Sequence, residues 1–126
     1  MKMIKTILVD DEPYALKNLA TMLEKYCPRI HVADTACDVH EALEKIYITK
    51  PALVILDIEL DGSSSFEILE RLKNRHFEIV FITAHDEFGI KAVKHDATDY
   101  ILKPIDRLEL IQAMDKVAEK IDKKNT

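Results

Sequence analysis

Three apolar runs in this chain each stop at a charge. Ile7-Leu8-Val9 runs into Asp10-Asp11, Leu53-Val54-Ile55-Leu56 into Asp57, and Tyr100-Ile101-Leu102 into Lys103. Short, nearly continuous apolar runs read as strands buried on both faces, which belong to a parallel sheet. Such a sheet gathers the carboxyl ends of its strands along one edge. Charges far apart in sequence then share one small crevice.

The rest of the pattern agrees. Strands are expected near 4–9, 30–36, 52–57, 78–83 and 99–102, and helices near 13–26, 38–48, 64–75, 87–95 and 106–122. Strands alternating with helical segments mean βαβ units, an α/β fold with helices on both faces of a parallel five-stranded sheet. The punctuation fits. Pro13 suits a first helical turn, with Asp11 or Glu12 as its cap. Asp38 caps the second helix, and Glu41 completes a capping-box pair. Asp61-Gly62 and the serines after it read as a loop leading to a cap for the third helix, and Asp106 caps the fifth. The first, third and fourth strands are almost wholly apolar and should be central. The second alternates with polar residues and the fifth is short, as edges are. The order 2-1-3-4-5 satisfies both hints and puts ligand chemistry at the ends of the first and third strands.

Composition narrows the function. The 126 residues suit one domain with a proper core. No apolar run approaches the roughly 20 residues of a membrane helix. The opening Met-Lys-Met-Ile-Lys leads straight into a strand, so no signal peptide is expected. A formal net charge of −5 disfavours direct nucleic-acid binding by this domain. The only glycines, Gly62 and Gly89, form no Gly-rich phosphate cradle. Cys27 and Cys37 have neither metal nor redox spacing and read as reduced thiols of a cytoplasmic protein. His31, His40, His76 and His95 share no ligand spacing.

Asp10, Asp11 and Asp57 would repel one another. Two unit charges about 4 Å apart cost roughly 4 kcal/mol at an effective dielectric near 20. Each alone would be an ordinary cap or loop residue; three together with Lys103 ask for compensation. A hard divalent cation, Mg²⁺ or Mn²⁺, supplies it. A cation and a lysine around a central carboxylate also suit receipt of a phosphoryl group, with Asp57 attacking phosphorus in line. The Thr83 hydroxyl, at the end of the fourth strand, could donate to a phosphoryl oxygen.

The motifs Ile7-Leu8-Val9-Asp10-Asp11-Glu12-Pro13, Leu53 through Gly62, Phe81-Ile82-Thr83-Ala84 and Asp99-Tyr100-Ile101-Leu102-Lys103-Pro104 span nearly the whole chain. In content, order and spacing the sequence resembles the receiver domain of two-component response regulators. The stretch from Ile82 to Val93, with Ala97-Thr98-Asp99-Tyr100, is most similar to the LytTR branch, whose members carry a C-terminal DNA-binding domain. The resemblance implies a (βα)5 flavodoxin-like sandwich over 1–122, with 123–126 a frayed tail or the start of a linker to an output domain absent from this chain.

The resemblance also implies roles. Asp57 accepts phosphate from a sensor histidine kinase. Asp11 binds Mg²⁺ directly, Asp10 mainly through water, and the Glu59 backbone carbonyl is a further ligand. Lys103 pairs with Asp57 and then with the phosphoryl group, and the Lys103-Pro104 bond is cis. Thr83 and Tyr100 form a switch pair, remodelling the segment 87–95, the fifth strand and the fifth helix. That surface could support a homodimer, with Lys91, Lys94, Asp99 and Arg107 as a charged rim. Glu59 and His85 flank the acceptor and would tune phosphoryl lifetime.

Two departures from the family pattern stand out. Leu60 replaces the usual proline before Asp61-Gly62, which should loosen that loop, and Asp96 stands where a glycine or asparagine supplies left-handed backbone. Gly89 should weaken the fourth helix.

The order of motifs weighs against rival readings, although the first of them is kept as an alternative. A haloacid-dehalogenase-like phosphohydrolase places its nucleophile first and its acidic pair last, whereas here the pair opens the chain. A flavodoxin-like cofactor binder follows its first strand with a phosphate loop, where Asp10-Asp11 would repel phosphate. A stand-alone receiver remains an alternative to one with an output domain.

Overall fold

The computed structural model describes residues 2–72, 75–84 and 96–125. The expected helix over 87–95, with Gly89, Lys91, Lys94 and His95, and also His85, lies outside the described residues. In chain order the elements are β1 (Ile4–Val9), α1 (Pro13–Tyr26), β2 (Ile30–Ala36), α2 (Val39–Thr49), β3 (Leu53–Leu56), β4 (Glu59–Leu60), β5 (Ser63–Ser64), α3 (Phe66–Arg71), β6 (Glu78–Thr83), β7 (Asp99–Leu102) and α4 (Arg107–Lys124).

The main sheet has five strands in the order β2-β1-β3-β6-β7, every pairing parallel. With the small β4-β5 pair set aside, this is the expected 2-1-3-4-5. All residues of β3 and β6 are buried, as their apolar runs require of central strands. The sheet separates two cores. Ile4, Leu8, Ile55, Val80 and Ile82 face α1 and α4, packing on Leu19, Leu23, Leu110 and Val117. Ile7, Val9, Val54, Leu56 and Phe81 face α2 and α3, packing on Ala42, Ile46, Ile68 and Leu69. The inward face of α4 is Leu110, Ala113, Met114 and Val117, whereas Leu108 is 60% exposed and lies off the packed stripe.

Caps act largely where the sequence places them. Glu12 accepts from the Tyr14 N–H at 3.3 Å, Asp38 from Glu41 at 2.7 Å and Asp106 from Glu109 at 3.0 Å. Glu41 reaches back to the Cys37 N–H at 3.3 Å. Asp96 does adopt left-handed backbone, with φ 57°. The C-terminal helix runs to Lys124 rather than 122.

The third helix departs most from expectation. It starts at Phe66, not 64, because Ser63–Ser64 pair antiparallel with Glu59–Leu60. Asp61 (φ 35°) and Gly62 (φ 85°) both adopt positive φ, so the Asp-Gly pair is the two-residue turn of a hairpin. Ser65 makes no capping bond; Ser64 Oγ instead accepts from the Phe66 N–H at 3.2 Å. Leu60, in the proline position of the family pattern, is 1% exposed and packs in the same core as Ile58.

Phe81 is fully buried and its ring lies 5.2 Å from that of Phe66. Phe81→Ala should cost about 3–5 kcal/mol in urea unfolding. A loss below about 1 kcal/mol would mean this core collapses around the void.

Candidate functional site at the carboxyl edge of the sheet

The strand ends are stitched together by their backbones. The Asp57 N–H donates to Val9 O at 2.9 Å, the Asp10 N–H to Ala36 O at 3.0 Å and the Lys103 N–H to Thr83 O at 2.7 Å. Val9 pairs with Leu56 in register, so Asp10 and Asp57 leave adjacent strands at the same level. Side chains that follow 46 and 93 residues of separation then meet: Lys103 Nζ donates to Asp57 Oδ2 and to Asp10 Oδ2, both at 2.8 Å. The peptide bond after Lys103 is cis, as the resemblance implied.

The remaining oxygens are held too. Asp10 Oδ1 accepts from the Glu12 N–H at 2.9 Å, and Asp57 Oδ1 from the Glu59 N–H at 3.3 Å. Asp11 is exposed and accepts from the Asp61 N–H at 3.0 Å, which moors the β4-β5 hairpin to the β1-α1 loop. Among the described residues, the three-residue cluster whose ligand atoms all lie within 4.8 Å is instead Cys37, Asp38 and Glu41. There the charges are already spent, Asp38 on a helix cap and Glu41 on Lys45 at 3.3 Å.

By formal charge the crevice is negative, with two carboxylates facing one ammonium. Burial pushes the Asp10 carboxyl above its usual range, even though Lys103 and the Glu12 N–H pull it down. Burial also works against the Lys103 charge, yet its bonds to Asp10 and Asp57 outweigh that and hold the ammonium above the usual lysine range. Both follow from one arrangement, two carboxylates sharing one ammonium in a poorly solvated crevice. A hard cation fits this site, because every candidate ligand is oxygen and the local charge is unbalanced. Asp10 and Asp57 are the carboxylates that the shared ammonium places in this crevice.

Thr83 ends β6, is fully buried, and its hydroxyl has no hydrogen-bond partner among the described residues. Tyr100, on neighbouring β7, is half-buried against the α2-α3 core. A cleft of about 270 Å³ opens from Asp10, Asp57 and Lys103 and continues between Leu16, Met22 and Ile105.

Residues 6–115 match the family described as the response regulator receiver domain. The chain belongs to that family. It is 39% identical over 124 residues to the sensory transduction protein LytR of Staphylococcus haemolyticus, covering 97% of this chain and 48% of the relative. It is 35% identical over 124 residues to the transcriptional regulatory protein BtsR of Salmonella typhi, covering 98% of this chain and 52% of the relative. The chain thus spans about half the length of these curated relatives. Among solved structures, the response regulatory domain of protein mrkE from Klebsiella pneumoniae superposes with a TM-score of 0.87 at 25% identity, covering 95% of this chain and 99% of that one. Domains of this family are regulatory signal transducers rather than conventional enzymes. No helix among the described residues is long and apolar enough to cross a membrane.

A buried hydroxyl without a partner costs about 1–3 kcal/mol. Thr83→Val should therefore raise stability by roughly 1 kcal/mol in urea unfolding. A comparable loss would mean that the hydroxyl is satisfied in solution.

Proposed function

We propose that this domain receives a phosphoryl group on Asp57 from the phosphohistidine of a sensor histidine kinase and changes conformation in response. The observation that carries the reading is the shared ammonium: Lys103 lies 2.8 Å from both Asp57 and Asp10 at the convergence of β1, β3 and β7. Mg²⁺, or Mn²⁺ in its place, would be held by Asp10, Asp11, Asp57 and the Glu59 carbonyl, and when bound neutralises charge on phosphoryl oxygens.

The chain's own groups then have defined work. An Asp57 carboxylate oxygen forms the new bond to phosphorus, the bond from phosphorus to the kinase imidazole nitrogen breaks, and the imidazole keeps that electron pair and takes up a proton. Lys103 holds the acceptor carboxylate before transfer and a phosphoryl oxygen afterwards, so its partner changes while its charge stays compensated. The unpartnered Thr83 hydroxyl supports a further role: it gains an acceptor only when the phosphoryl group arrives. As Thr83 moves, Tyr100 turns inward into the space left. Phosphorylation adds about −1.5 to −2 charge at one point and biases an existing equilibrium between two packings.

The regulatory unit is residues 1–122, and the segment from 123 leads to an output. A LytTR-type DNA-binding domain, and so control of transcription in the cytoplasm, is the output that the resemblance favours. The transcriptional regulatory name of a relative twice this length supports it. Leu102 and Leu108, 41% and 60% exposed, support dimerisation through β7 and α4.

Incubating the chain with Mg²⁺ and acetyl phosphate, followed by intact and peptide mass spectrometry, tests the reading. One phosphoryl group should appear on Asp57, decay slowly, and be absent from Asp57→Asn. Steady release of many phosphates per chain would favour a phosphohydrolase. An unmodified native chain would end the proposal.

A further inference from the structure

Outside the site, Glu78 is the one buried acidic residue among those described. It opens β6 at the amino edge of the sheet, opposite the carboxylates discussed above. Its two oxygens are divided between two elements. Oε1 accepts from the hydroxyl of Thr98, immediately before β7, at 2.8 Å. Oε2 accepts from Lys124 Nζ, in the last turn of α4, at 2.7 Å. Lys120 Nζ lies 3.8 Å from Oε1, the oxygen that Thr98 occupies.

The surroundings make this a junction. Thr98 is tied to the sheet by its N–H, which donates to Ile79 O at 2.7 Å, and two residues later β7 carries Tyr100. The end of α4 is gripped from its other flank by Arg29, whose guanidinium makes two 3.0 Å bonds to Asp122 and a third, from Nε, to Lys2 O. An 18-residue helix is roughly 27 Å long, so this grip lies far from the helix start beside Lys103-Pro104. Only the carboxylate is buried; the Lys124 and Lys120 side chains are 62% and 47% exposed and free to exchange places on it. Apolar side chains would pin the helix end equally well. They could not exchange donors.

We propose that Glu78 is a positioning residue that relays movement of β7 to the C-terminal end of α4. In the resting arrangement Oε1 belongs to Thr98, and Lys120 stands one small step away. Withdrawal of Thr98 leaves a buried carboxylate oxygen unsatisfied, a costly state that Lys120 relieves by closing in. Closure puts both Lys120 and Lys124 on the buried carboxylate and tightens its hold on the helix end. The inference rests on the phosphorylation reading, which supplies the movement of β7.

Hydrogen exchange over residues 118–125, with and without Mg²⁺ and acetyl phosphate, tests it, with intact mass recorded on the same samples. In the native chain phosphorylation should change exchange there by about fivefold or more, the low end of typical coupling. Thr98→Val should keep native phosphorylation but show the phosphorylated chain's helix-end exchange already at rest, with no further response. Lys120→Met should keep a native resting helix end and lose the response, while Glu78→Gln should speed exchange in both states. A phosphorylated native chain with an unchanged helix end, or a Thr98→Val chain that responds normally, overturns the relay and leaves the receiver reading standing. A native chain that takes no phosphoryl group overturns both.

Discussion

Two carboxylates that strand order brings side by side share the ammonium of Lys103, and neither could be tolerated there without it. Each is backed by low-polarity strand ends, and the backbone bonds at the ends of β1, β3 and β7 leave little freedom to move apart. The arrangement is stable enough to form, yet unbalanced, since two carboxylates face a single ammonium. A site in that condition attracts further positive charge.

The two-core architecture gives this imbalance consequences. β6 lies beside β3, with β7 on its far side, and β6 ends in a buried threonine hydroxyl lacking a described partner. On the proposed reading a new anion at Asp57 would offer that hydroxyl an acceptor. The neighbouring β7 carries Tyr100 over one core and Ile101 into the other. A shift of β7 is therefore felt on both faces of the sheet, and at its far edge it meets the carboxylate of Glu78.

Much of this was legible because strand burial writes itself into sequence as apolar runs, and because charge at a run's end marks the carboxyl edge. Asp10, Asp57 and Lys103 were found that way, and the sheet order followed from which runs alternate. The hairpin at Asp61-Gly62 was missed although Asp-Gly is a strong turn signal, since strands of two residues carry no periodicity. That Leu60 is anchored in the core is likewise invisible in a strand so short. The bond of Asp11 to Asp61 depends on that same hairpin and leaves no mark in the sequence. The Glu78 junction was illegible, because its partners lie 20 and 46 residues away and only the folded register joins them. The one hint was a glutamate opening an otherwise apolar strand.

The central claim is that negative charge gathered at the sheet edge exceeds what Lys103 can balance. Titrating Mg²⁺ into the unphosphorylated chain at constant ionic strength, followed by amide chemical shifts across residues 57–61, tests it directly. The account predicts saturable one-to-one binding centred on those amides, weakened about tenfold or more in Asp11→Asn. Shifts that never saturate, or an Asp11→Asn chain that binds as the native one does, would contradict it.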